Sequence, residues 1–408
     1  MTLGRMGAAT PLFAPRVRGI TGSVIDASTS LLAAQSHDVV RLAMGSPAPE
    51  AIPSAVFADL LADVAGSGVG AFDYGATEGD PALREALLEF LAQQGTPVRA
   101  DELLITSGGM QGLDLACKLF VGAGDLVAVE SPTYTNGTAT ISGYEGEMLE
   151  VPGDRDGMNV DALETLVSER GAPPKVIYTI PTFQNPSGTT LSLERRERLV
   201  ELAERWDALI LEDDPYSLLR FEGEPLSSLR ELAAGRARVV AVHTFSKIIA
   251  PGLRVGWVVA EPEVIVRMVD ARQSMDTCTA PPMQRLVARF LSGGSAETHL
   301  SGLRDAYRDR KQAMQEALAQ ELGDLGATWT DPHGGFFLWL TLPEPTDTQA
   351  LFPAALAEGV AYIPGQAFSI SGRFDNALRL AFSAEPPERA REGVRRLRRA
   401  LERQPAAN

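Results

Sequence analysis

Lys247 is the residue in this chain best suited to covalent chemistry. It stands in Thr244-Phe245-Ser246-Lys247-Ile248-Ile249-Ala250-Pro251-Gly252-Leu253-Arg254-Val255-Gly256, after an apolar run from Val239 to Val242 and before a second apolar run. A lysine flanked by hydroxyls is poor core material. It is good material for a Schiff base beside a phosphate. A positioned amine with a lowered pKa is a covalent catalyst, and hydroxyls together with an arginine make an anion cup. A bare Ser-Lys pair reads as an ordinary surface loop. The weight comes from what accompanies it.

Four further stretches and two single residues carry potential chemistry. Thr106-Ser107-Gly108-Gly109-Met110-Gln111-Gly112 lies between a strand and a helix. The free backbone N–H groups of a helix start accept an anion. Ser131-Pro132-Thr133-Tyr134 follows a second strand and offers an aromatic ring, which alone serves a core equally well. Pro181-Thr182-Phe183-Gln184-Asn185-Pro186-Ser187-Gly188 follows a third and is rich in turn residues. Glu212-Asp213-Asp214-Pro215-Tyr216 ends a fourth with three acids and a phenol. Arg379 stands in Leu378-Arg379-Leu380-Ala381-Phe382-Ser383, and a planar guanidinium grips a carboxylate through two parallel hydrogen bonds. Tyr74 lies in the polar-aromatic loop Phe72-Asp73-Tyr74-Gly75-Ala76-Thr77-Glu78-Gly79.

Taken together, in this order and at these spacings, the stretches resemble the class I/II pyridoxal-phosphate-dependent aminotransferases of fold type I, over roughly residues 20 to 400. The resemblance implies an aminotransferase that moves an amino group between an L-amino acid and a 2-oxo acid by a ping-pong mechanism. It implies pyridoxal 5'-phosphate bound to Lys247, with the phosphate on the amides of Gly109, Met110 and Gln111 and on Thr244, Ser246 and Arg254. Tyr134 is implied to stack on the pyridine ring, Asn185 and Tyr216 to reach its phenolate oxygen, and Asp213 to pair with its nitrogen and make the ring an electron sink. Lys247, Asp213 and Tyr216 make the implied catalytic set; Gly45, Asn185 and Arg379 are implied to meet substrate. Tyr74 is implied to reach the neighbouring subunit's phosphate in a homodimer with shared sites. Leu42-Ala43-Met44-Gly45-Ser46-Pro47 and the acidic stretch look nearest the 2-aminoadipate and kynurenine branch. That branch often reads a distal carboxylate with an arginine in an N-terminal helix. The corresponding place here, Val24-Ile25-Asp26, has none, so a neutral, aromatic or cationic donor side chain is expected ahead of an acidic one. Elimination or cyclisation on the same cofactor uses the same residues and stays open. A regulator's effector domain is disfavoured by the short stretch before the first motif and by the acidic charge.

The elements that must position these residues follow from the pattern. Strand candidates at Leu103–Thr106, Leu126–Glu130, Val176–Ile180, Ala208–Leu211, Val239–Val242 and Val255–Val259 alternate with helical stretches such as Gly112–Phe120 and Leu193–Trp206. That alternation argues an α/β fold with a mostly parallel sheet covered by helices on both faces. The resemblance adds a seventh strand. Ser54–Ala65 and a stretch opened by Pro81 read as helices. Val24–Ala34 has helical character, and a long helical region runs from Pro281 to about Glu321. Further strand–helix alternation around Phe336–Leu340, Thr348–Glu358 and Ala377–Phe382 ends in a helix at Glu388–Glu402, a smaller α+β unit. The expected division is 1–50 as N-terminal arm and part of the small domain, 51–290 as the large cofactor domain, and 291–408 as the C-terminal small domain.

The 408 residues carry 37 Lys+Arg against 53 Asp+Glu, a net charge of -16, with 45% hydrophobic residues. Mean hydropathy is -0.02 and the pI about 4.8. This is an ordinary globular composition without the basic footprint nucleic acid demands. Two cysteines, Cys117 and Cys278, do not make a disulfide framework and suit a reducing cytoplasm. His37, His243, His299 and His333 have no metal-ligand spacing, so no metal is expected. No run is long enough for a membrane span and no signal peptide is legible.

Overall fold

The computed structural model describes residues 13–20, 22, 31 and 34–403. The helical reading of Val24–Ala34 and the place Val24-Ile25-Asp26 therefore lie almost wholly outside the described residues. The first strand, β1 (Val40–Arg41), belongs to the smaller unit. β2 (Leu103–Thr106), β3 (Leu126–Ser131), β4 (Glu147–Asp154), β5 (Gly157–Met158), β6 (Val176–Thr179), β7 (Leu209–Asp213), β8 (Val239–Thr244) and β9 (Gly256–Val259) form one sheet in the order β2-β9-β8-β7-β6-β3-β4-β5. From β8 through β4 all neighbours are parallel; β9 runs antiparallel to both of its neighbours. The seven long strands are the mostly parallel sheet expected, and two-residue β5 turns back on β4 as an eighth.

The aliphatic strands β2, β3, β6, β7 and β9 are buried along their whole length. That is what a sheet covered on both faces requires. One face carries Leu104, Val127, Tyr178, Leu211 and Val242 beneath the helices Gly109–Phe120 and Pro262–Gln273. The other carries Ala128, Ile177 and Ile210 beneath Val160–Arg170 and Leu193–Trp206. β4 is the long strand that sequence reading misses. It is half-exposed near the sheet edge and contains Pro152 and Gly153, residues such strands tolerate and central strands do not. The long helical region resolves into Pro281–Ser292 and Ala296–Leu322, broken where Gly294 takes φ +73.

The smaller unit has an antiparallel sheet in the order β10 (Thr328–Trp329), β11 (Phe337–Thr341), β14 (Ala377–Ala381), β13 (Ile363–Pro364). β12 (Val360–Ala361) instead pairs in parallel with β1. That pairing draws Leu42–Ser46 from the start of the chain to the edge of the small sheet, where Leu42 O accepts from Ala381 N. Among the described residues no helix is long and apolar enough to cross a membrane.

Candidate active site

The functional loops leave the C-terminal ends of the parallel strands, where open α/β sheets bind ligands. They enclose a cavity of about 250 Å³ together with β11, β14 and the segment 44–46. Gly45, Gly109, Met110, Tyr134, Asn185, Asp213, Tyr216, Thr244, Ser246, Lys247, Arg254 and Arg379 all line it.

One end is built for an anion. Gly108 (φ +83) leads into the helix beginning at Gly109. The N–H groups of that first turn have no acceptor within the helix. A Cβ on Gly108 would stand 2.6 Å from Arg254 Nη2, so only glycine lets the guanidinium lie against this turn. Arg254 itself has φ +51, an uncommon conformation for a side-chain-bearing residue. Its Nη1 donates to Ser246 Oγ at 3.3 Å, and Thr244 Oγ1 donates to the same oxygen at 2.9 Å. Two hydroxyls, a guanidinium and a helix start thus converge on one corner.

The middle holds the titratable groups. Lys247 Nζ donates to Gly45 O at 2.8 Å. Desolvation in the cleft, with Arg379 and Arg254 nearby, lowers its pKa to about 8. Asp213 is buried at the end of β7 and accepts from Tyr178 Oη at 2.9 Å. Burial is the main force pushing its pKa up to about 7. Tyr216 packs edge-on to Phe337, and burial holds its phenol well above the ordinary range. Tyr134 Oη donates to Met110 Sδ at 3.7 Å.

The far end is organised by Arg379, central in the small sheet opposite Trp339 and Ile363. Its guanidinium lies 4.2 Å from the Phe337 ring centroid and 5.1 Å from that of Phe368. Nη1 donates to Asn185 Oδ1 at 2.9 Å and Nη2 to Ala43 O at 2.7 Å. Because the Asn185 oxygen is taken by the arginine, its NH₂ group remains as the donor for the cleft. Arg379 Nε is buried and, among the described residues, has no partner. A buried charge in this state is ready for an anion.

Two predicted residues stand elsewhere. Gln111 does not line the cleft: its N–H donates to Gly108 O, and its side chain donates to Asp276 Oδ2 at 2.7 Å while accepting from Ser107 N. The Gln111 N–H, third in the helix, is thus bonded at the helix start, and its side chain faces Asp276 rather than the cleft. Tyr74 is 86% exposed and turned to solvent. Conversely, Met44, Ser46, Asn136 and Phe337 line the cleft without having been singled out. Asn136 sits two residues past Tyr134, and Phe337 belongs to a run that reads as plain core.

A family model for aminotransferase class I and II matches residues 37–397. The chain belongs to this family. It is 40% identical over 390 residues to aromatic-amino-acid aminotransferase 1 of Thermococcus litoralis, covering 94% of this chain and 93% of that protein. It is 38% identical over 370 residues to the 2-aminoadipate transaminase of Thermus thermophilus, covering 90% and 91%. Among solved structures, the kynurenine aminotransferase of Pyrococcus horikoshii superposes with a TM-score of 0.89 at 37% identity, covering 96% of this chain and 97% of that one. The chain is thus a pyridoxal-phosphate-dependent aminotransferase of fold type I. The residues present fit that cofactor: an anion corner, a lysine of lowered pKa, a buried acid and an amide donor all face one cavity.

Proposed function

We propose that the amino donor carries a neutral side chain, aliphatic or aromatic, in preference to one ending in a second carboxylate. The observation that carries this is the set of cations in the cleft. Among the described lining residues they are Lys247, Arg254 and Arg379, and our reading gives each a task. The remaining walls include Met44, Leu113, Tyr134 and Phe337. A second carboxylate buried there would lack a partner, which is costly. One relative is named for aromatic amino acids and another for 2-aminoadipate, so this choice is the informative one.

In this reading Arg379 holds the substrate α-carboxylate as a two-pronged donor. Lys247 Nζ, neutral in an appreciable fraction near pH 8, takes the proton from the substrate α-carbon and returns it one position away. Thr244, Ser246, Arg254 and the amides of Gly109 and Met110 would hold the phosphate. Asp213 would pair with the ring nitrogen, Asn185 and Tyr216 would donate to the ring oxygen, and Tyr134 would stack on the ring. The cofactor, when bound, supplies the electron sink and carries the amino group between the two half-reactions. The test compares kcat/KM for 2-aminoadipate, leucine, phenylalanine and arginine. A preference for aminoadipate of about tenfold, ~1.4 kcal/mol, overturns the proposal.

We further propose a homodimer with Tyr74 lent to the neighbouring site. Val69 is 90%, Phe72 64% and Tyr74 86% exposed along one loop, an apolar surface that favours cover. Sedimentation equilibrium showing a fully active monomer refutes this. Both cysteines are free thiols, which supports the cytoplasm as the compartment.

A further inference from the structure

Asp213 has a hydrogen-bond partner that does not itself line the cleft. Tyr178 is completely buried in β6, and its hydroxyl donates to Asp213 Oδ2 at 2.9 Å. The register explains how. β6 and β7 run parallel with Tyr178 opposite Leu211. Side chains alternate across a strand, so Tyr178, Leu211 and Asp213 share a face. Asp213 lies two residues further on, ~7 Å along the strand, a span a tyrosine side chain bridges.

A second observation bears on the same atom. Gly137 lies in the helix Thr135–Gly143, which starts next to Tyr134. A Cβ at Gly137 would stand 2.4 Å from Tyr178 Oη and 2.6 Å from Cζ. That separation is not tolerated, so any other residue at 137 would displace the phenol from the carboxylate.

We propose that Tyr178 is a positioning residue for amino transfer: it keeps the Asp213 carboxylate ionised and aimed at the cofactor's ring nitrogen, and Gly137 is the gap that lets its hydroxyl do so. Burial, reinforced by the adjacent Asp213, holds the Tyr178 phenol well above its usual range. The phenol therefore keeps its proton and is the donor of the pair. At Asp213, burial and Asp214 favour the neutral acid, while the Tyr178 hydrogen bond and Lys247 favour the carboxylate. Without the hydroxyl the balance moves to the neutral acid, which does not hold a positive charge on the ring. The inference rests on the reading of Asp213 given above.

The test is Tyr178→Phe, which removes one oxygen and keeps the ring in the core. Three readouts are expected on the purified protein. The pH midpoint of the bound cofactor's visible absorbance moves up by about one unit. The cofactor dissociation constant, from titration of the cofactor-free protein, rises ~10-fold, the scale of one hydrogen bond to a charged group. kcat falls by ~10-fold or more while KM for the amino donor changes less than about twofold. Gly137→Ala keeps the phenol but displaces it, so it moves the midpoint the same way, and Gly137→Ala with Tyr178→Phe moves it no further than Tyr178→Phe alone. Should Gly137→Ala fail to fold, Tyr178→Phe decides by itself. Asp213→Asn is measured in parallel. If Asp213→Asn shifts midpoint and affinity while Tyr178→Phe shifts neither, the role of Tyr178 is refuted and that of Asp213 stands. If Asp213→Asn shifts neither, both fall.

Discussion

Replacing Arg379 by lysine keeps the charge and removes the fork. The guanidinium makes two structural hydrogen bonds, to Asn185 Oδ1 and Ala43 O, and is held between Phe337 and Phe368. An ammonium on a thinner stem satisfies one direction at a time. One charge-assisted hydrogen bond to the substrate carboxylate is lost, worth about 1.5–3 kcal/mol. That corresponds to a fall of roughly 10- to 150-fold in kcat/KM. Asn185 also loses its oxygen partner, so its amide is freer to turn, and some of the loss should appear in kcat through misorientation. Because the α-carboxylate is common to every amino acid, the factor should be nearly the same for leucine, phenylalanine and 2-aminoadipate. The assay is steady-state kinetics of Arg379→Lys with all three donors at saturating cofactor. A loss confined to one donor, or a kcat/KM within about twofold of the parent for all three, would refute the assignment of Arg379 to the α-carboxylate.

Two further outcomes are expected. The amine that captures cofactor must be neutral, so with Lys247 titrating at about 8 the rate of cofactor uptake by the cofactor-free protein should rise between pH 7 and 9 and then level; borohydride reduction should place the label on Lys247, and a midpoint near the ordinary lysine value or a label elsewhere defeats the assignment. Gly108→Ala forces a side chain to φ +83 and a Cβ to 2.6 Å from Arg254 Nη2, so cofactor affinity measured by apoprotein titration should fall by ~10-fold or more, at a backbone cost of about 1–2 kcal/mol; unchanged affinity means that this corner does not hold the phosphate.

Much of this arrangement is legible before folding because it is local. Lys247, Asn185, Asp213 and Gly109 each sit just past an aliphatic run, and the end of a parallel strand is where such sheets gather their chemistry. What escapes is long-range or half-exposed. β4 has neither alternation nor a continuous apolar run, since Pro152 and Gly153 interrupt it. Tyr178 reads as one more core aromatic in Val-Ile-Tyr-Thr, and only the β6–β7 register reveals that its hydroxyl ends on Asp213. Gln111 shares a motif with Gly109 and Met110, yet the turn already spends its amide on Gly108. The break between the helices Pro281–Ser292 and Ala296–Leu322 rests on a Gly-Gly pair inside a long charged periodicity that reads straight through it.

The pairing of β1 with β12 has a consequence for how this protein is made. Val40 and Arg41 leave the ribosome early, but Val360 and Ala361, which hydrogen-bond to them, are synthesised more than 300 residues later; at 5–20 residues per second that is an interval of roughly 15–60 s. The parallel strands β3, β4, β6, β7 and β8 have all emerged long before then. Ala43, whose carbonyl meets Arg379, can find that partner only after that wait. Gly109, Thr244, Ser246 and Arg254 of the anion corner are all synthesised well before Arg379. A ribosome stalled near residue 300 should display a large domain able to capture cofactor and unable to turn over an amino acid.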